Sequence, residues 1–117
     1  MANPIWIMTS AFDQLNLDQT IEKATEIGVQ GLDLCVFRKD GTRDDFVATH
    51  LDYENFGPEE ANKLIERFNG AKLRLSIGAF DNLIGGDPAE RIKNQNHLLR
   101  LIRMAYLLGG DENDVKV

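Results

Sequence analysis

The sequence predicts an α/β chain of about three and a half β-strand–α-helix units with parallel strands, a partial (β/α)8 TIM barrel. Three observations predict it. Short apolar, β-prone runs alternate with segments whose apolar residues recur at helical spacing. One run, Leu32-Asp33-Leu34-Cys35-Val36-Phe37, is almost continuously apolar, the pattern of a strand buried on both faces of a parallel sheet. The 117 residues hold three such units and the start of a fourth strand at Asp114-Val115-Lys116-Val117. A full barrel takes about 250 residues, roughly 31 per unit. The expectation is one domain over residues 1–117, the N-terminal half of a barrel.

Each element has its own signal. Residues 5–12, centred on Trp6 and Ile7, are expected as strand one. Asn16 with Gln19 forms a capping-box signature, Leu17, Ile21, Ala24 and Ile27 follow at helical spacing, and Gly28 supplies a left-handed stop. Strand two covers residues 31–37. Residues 38–56 show no periodicity, and a connection longer than about 12–15 residues is often functional. Gly57-Pro58 opens the second helix, where Glu59 and Glu60 favour the positive end of the dipole. Ala61, Leu64, Ile65 and Phe68 line one of its faces ahead of Gly70. Strand three covers residues 73–80. Asp87-Pro88 with Glu90 begins a long helix to Leu108, stopped by Gly109-Gly110. Its expected buried stripe is Ile92, Leu99, Ile102, Ala105 and Leu108.

Composition narrows the function classes. An apolar fraction of 43% and a charged fraction of 27% are ordinary for a soluble globular chain. The net charge of −6 repels nucleic acid and anionic lipid, so neither is an expected partner. Cys35 is the sole cysteine, which excludes a disulfide within the chain and any Cys-rich metal site. The apolar stretch Ile5-Trp6-Ile7-Met8 is too short for a signal h-region and lacks a basic n-region. Nothing approaches the ~20 apolar residues of a membrane span. A cytoplasmic protein is expected. No Gly-x-Gly-x-x-Gly follows strand one and no P-loop motif occurs, so nucleotide binding lacks its fingerprints.

Four stretches, in this order and spacing, carry a resemblance: residues 28–34 (Gly-Val-Gln-Gly-Leu-Asp-Leu), 49–53 (Thr-His-Leu-Asp-Tyr), 68–82, and 104–110 (Met-Ala-Tyr-Leu-Leu-Gly-Gly). Together they resemble the N-terminal half of the sugar phosphate isomerase/epimerase family, the xylose-isomerase-like TIM barrels. The resemblance implies proton transfer next to a sugar carbonyl, usually with a divalent metal (Mn, Mg, Co or Zn). In that family the metal ligands and the acid/base carboxylates come mainly from later strands. This chain is therefore expected to bind no metal itself and to be inactive in isolation. A related branch of the fold, the DNA-repair endonucleases, places a metal-binding His just after strand three, where this chain has Ala79-Phe80-Asp81-Asn82.

The substrate-side candidates are His50, Asn82, Trp6, Phe12 and Phe80. His50 sits in the long connection on the side where barrel enzymes place their sites, and neutral imidazole binds metal or relays a proton. The competing reading is a loop histidine bonded to backbone. Asn82, after strand three, suits a sugar hydroxyl or simply a turn. Trp6, Phe12 and Phe80 suit an apolar wall against a sugar, or ordinary core packing. Asp33 interrupts an apolar strand and needs either a polar barrel interior or a partner. Arg38, Lys39 and Arg43 are candidates for a phosphate, Gly85-Gly86-Asp87 reads as a tight turn, and His97 as structural or solvated. The expected ligand is a sugar or sugar phosphate, and the expected partner a second copy or the missing second half. Two alternatives stand beside this: a non-catalytic, self-associating half-barrel scaffold, and an open flavodoxin-like small-molecule binding domain.

Overall fold

The computed structural model describes residues 4–12, 14–38, 50–79 and 83–109. Three strands, β1 (Trp6–Met8), β2 (Gly31–Cys35) and β3 (Arg74–Gly78), alternate with three helices, α1 (Leu17–Ile27), α2 (Pro58–Gly70) and α3 (Pro88–Leu107). All strand pairs are parallel and the sheet order is β1-β2-β3, with Met8 opposite Asp33 and Asp33 opposite Ser76. This is not the flavodoxin-like order, in which the first strand lies between the second and third. The α/β class and the parallel sheet are as the sequence predicts. The fourth strand expected at residues 114–117 lies outside the described residues.

Local chemistry explains the helix ends. At α1, Asn16 Oδ1 accepts from the Gln19 N–H at 2.8 Å, and Gln19 Oε1 accepts from the Asn16 N–H at 3.0 Å. Gly28 ends it in the left-handed region at φ 89°. Pro58 takes the first position of α2, with the Glu60 carboxylate accepting from the Gly57 N–H at 3.0 Å. The left-handed residue after α2 is Lys72, at φ 55°. Asp87 caps α3 by accepting from the Ala89 N–H at 3.0 Å.

Strand one is shorter than expected. After Met8 the chain winds into a 3₁₀ turn, Thr9–Phe12, instead of staying extended. The reason lies in one side chain: buried Thr9 accepts the Cys35 N–H through Oγ1 at 2.9 Å. A hydroxyl thus replaces the backbone carbonyl a longer strand would have supplied, and the main chain is free to turn.

Leu32, Leu34, Leu75 and Ile77 pack against Ile21 and Ala24 of α1, Ala61, Leu64 and Phe68 of α2, and Leu101, Met104 and Ala105 of α3 in one core. All three helices therefore cover the same sheet face. The inward stripe of α3 keeps Ala105 and Leu108 of the expected one and differs in the rest. His97, Leu101, Met104 and Ala105 face the core, with Leu108 behind them, while Ile92, Leu99 and Ile102 are exposed. Apolar residues recur at helical spacing on both sides, and the inward side also carries His97, so periodicity alone does not choose between them. Tertiary anchors do. Arg38, three residues beyond β2, donates to Glu90 Oε2 (3.1 Å) and Asn94 Oδ1 (2.6 Å), and the His97 ring packs edge-on to Tyr53 at 4.9 Å. Among the described residues no helix is long and apolar enough to cross a membrane.

Candidate functional site

Side chains alternate across a strand, so Trp6, Met8, Asp33, Arg74 and Ser76 point to the sheet face the helices leave uncovered. Trp6 lies flat over Gly31, where an added Cβ would fall 2.6 Å from its Cδ2. Glycine at that position is what lets the ring approach the backbone. One register step along, the Ser76 hydroxyl donates to Asp33 Oδ1 at 2.6 Å, and both residues are half-buried. The strand-interrupting carboxylate thus faces the uncovered side, with a serine rather than a base beside it. An aromatic plane next to a hydrogen-bonded carboxylate can stack on the apolar face of a ring and accept from its hydroxyls.

The second group gathers at the carboxyl ends of the strands, where open and closed α/β folds bind ligands. His50 is held there by its Nε2, which donates to the Leu15 carbonyl at 2.9 Å, with Thr20 Oγ1 3.4 Å away. That contact makes Nδ1 the acceptor of the neutral ring. It is buried and has no hydrogen-bond partner. Asp52 accepts from the Glu54 N–H (3.2 Å) and Asn55 Nδ2 (2.9 Å), capping the 3₁₀ turn Tyr53–Asn55. A cavity of about 180 Å³ opens between that turn and α3, lined by Arg38, Tyr53, Lys93, Asn96, His97 and Arg100.

Among the aromatic candidates, Trp6 stands on the uncovered face, whereas Phe12 packs against the helix-side core. Phe80 and Asn82 lie outside the described residues, as do Lys39 and Arg43. The Arg38 guanidinium is engaged with α3 through Glu90 and Asn94. Gly86 takes φ 81° in the turn ahead of the Asp87 cap. Cys35 is a buried free thiol, and His97 is a buried core-side residue. Thr9 and Ser76 were invisible as site residues in the sequence. A hydroxyl residue inside an apolar strand is the only signal they give.

A divalent metal needs several oxygen or nitrogen ligands converging on one point. Among the described residues no three of His, Cys, Asp and Glu do so. His50 is turned to Leu15, Asp52 caps its own turn, and Asp33 accepts from Ser76. The described donors do not by themselves form a metal centre. No protein-family model and no curated protein matches this sequence.

Proposed function

We propose that the chain is the first half of a sugar (phosphate) isomerase/epimerase-like barrel. In that reading the uncovered sheet face is part of the lumen, and the strand carboxyl ends are part of the substrate wall. The observation that carries it is the position of α3. A right-handed connection packed on the same face as α1 and α2 directs the next strand to the far side of β3, continuing the order 1-2-3-4. In an open 3-2-1-4-5-6 sheet the fourth strand lies beside the first, and its connection crosses to the opposite face.

Trp6 and Asp33 then meet the sugar from the lumen, and His50, held on the Leu15 carbonyl, belongs to the wall at the rim. The reaction of the complete barrel is proton transfer beside a sugar carbonyl, assisted by a metal whose ligands other strands supply. The 117-residue chain itself binds sugar without turning it over. Among the described residues β1 and β3 are the edge strands, the places where a second copy or the second half would pair. The rival reading is a non-catalytic, self-associating half-barrel scaffold, in which the same strands serve association alone.

The single tryptophan provides the test. Titration of the chain with pentose and hexose phosphates should change Trp6 fluorescence, saturably and in the millimolar range, without isomerisation of the sugar. No response to any sugar phosphate would leave the scaffold reading in place.

A further inference from the structure

The cavity between α3 and the turn Tyr53–Asn55 is lined by six residues, and three of them are cations: Arg38, Lys93 and Arg100. No Asp or Glu is among them. Lys93, Asn96, His97 and Arg100 stand at positions i, i+3, i+4 and i+7 of α3, so one helix face delivers all four. Arg38 closes the wall from the connection after β2, with its side chain only 6% exposed. The carboxylate nearby, Glu90, sits 3.1 Å from Arg38 and 3.6 Å from Lys93. Among the described residues, three positive charges thus stand against one negative charge, a surplus of two in a chain of net charge −6. Like charges gathered this way repel, which costs stability until an anion answers them. Arg100 is the least compensated of the three. Its guanidinium carbon lies 5.5 Å from the centroid of the Tyr53 ring, which His97 in turn meets edge-on. A cation–π contact fixes a charge in place without neutralising it, and no carboxylate pairs with Arg100 among the described residues.

We propose that this cavity is an oxyanion site that takes one phosphate group, free or as the phosphate of a small ester. Phosphate carries about −1.5 to −2 charge at pH 7, which matches the surplus of two; a carboxylate would answer only half of it. Arg100 and Lys93 donate to the phosphate oxygens, Asn96 adds a neutral amide donor, and Arg38 supplies its charge from behind. The volume, about 180 Å³, is far above the ~10–15 Å³ that one water needs, so a group of several heavy atoms fits. The cations converge on a hollow instead of running along a stripe, which suits a compact anion and not a nucleic-acid backbone. Tyr53 and His97 belong to the helix-side core, whereas Trp6 and Asp33 point to the opposite sheet face. The site therefore stands apart from the sugar-facing surface and does not rest on the sugar reading.

NMR titration of the 117-residue chain with inorganic phosphate and, separately, with methyl phosphate tests the site. The buffer holds about 150 mM NaCl, so that loose surface attraction is screened beyond ~8 Å. Saturable shifts of the Arg100 side-chain N–H and Asn96 amide resonances are expected, with a Kd in the millimolar range. Equal affinity for the two probes assigns free phosphate as the ligand, and tighter binding of methyl phosphate assigns an ester. Arg100→Gln and Lys93→Gln, both at exposed positions, should each weaken binding by about tenfold or more, read at Asn96, with an unchanged circular dichroism spectrum. Arg67→Gln removes the same charge from an exposed position on α2, where Arg67 pairs with Asp18, and should leave binding unchanged. The absence of a saturable shift at about 20 mM phosphate overturns the inference. So does an equal loss in Arg67→Gln, which would show a response to net charge alone. A phosphate response at Trp6 with none at Asn96 also overturns it, while sparing the sugar reading.

Discussion

The two faces of the same three strands are built on different principles. On the helix side Leu32, Leu34, Leu75 and Ile77 are all buried in one apolar core. One residue away along each strand, Trp6, Asp33 and Ser76 are half-buried, and Met8 and Arg74 are exposed. The first face is organised by area removed from water, about 25 cal/mol per Å² and indifferent to direction. The second is organised by directional contacts: a ring laid on a glycine and a hydroxyl bonded to a carboxylate. Stability should therefore reside on one face and recognition on the other, and substitutions should separate the two.

The largest effect is expected on the covered face. Leu34 has no exposed surface and sits in the central strand. Leu34→Ala should cost about 2–5 kcal/mol, the transfer term plus the cavity left behind. Met8→Ala, on the opposite face and partly in solvent, should cost less than about 1 kcal/mol. Urea denaturation of both variants checks this. Equal losses would break the contrast between the faces.

Gly31→Ala comes next. The new methyl would overlap the Trp6 ring, and because the ring is rigid it must lift off the sheet. A loss of about 1–3 kcal/mol is expected from the overpacking. It should come with a red shift of the tryptophan emission as the indole gains water. A stability loss with unchanged emission would mean that the ring is not what the methyl meets.

Asp33→Asn tests recognition rather than folding. The amide oxygen can still accept from Ser76, so stability should change by no more than about 1 kcal/mol. The fluorescence response to sugar phosphates should fall sharply, because the remaining acceptor is neutral and weaker. Retention of the full response would remove Asp33 from the site.

What the sequence disclosed follows from the range of each interaction. The capping box at Asn16 and Gln19, the Pro58 start and the Asp87 cap are completed within three residues, and the helices begin where those signals stand. The parallel sheet was legible in the apolar run of β2 because its burial pattern is written in consecutive residues. Contacts between distant residues were not legible. Thr9 shortens strand one through a bond to Cys35, 26 residues away, and Asp33 meets Ser76 across 43. Nor does one residue of either pair announce its partner. His50 was legible as a loop histidine of interest, but its hold on the Leu15 carbonyl was not. The facing of α3 is not legible in the sequence for another reason. The helix carries two apolar stripes, and the deciding contacts come from Arg38 and Tyr53 outside it.

The smallest effect concerns neither face but the turn that feeds β3, and it runs in the stabilising direction. Lys72 is the one non-glycine residue with positive φ among the described residues, and it is exposed. Its N–H bonds to the Asn69 carbonyl at 3.1 Å, and the next residue, Leu73, bonds back to Phe68 at 2.9 Å. This pair of bonds fixes the turn and sets the direction of β3, so the backbone cannot relax out of the left-handed region. A side chain there costs about 1–2 kcal/mol through the clash of Cβ with the following carbonyl. Glycine removes the clash but loses more backbone entropy on folding, about 0.5–1 kcal/mol. Lys72→Gly should therefore raise stability by about 0.5 kcal/mol, measurable as a higher urea midpoint with an unchanged slope. A lower midpoint would mean that the lysine's aliphatic stem contributes more through packing than its backbone strain takes away.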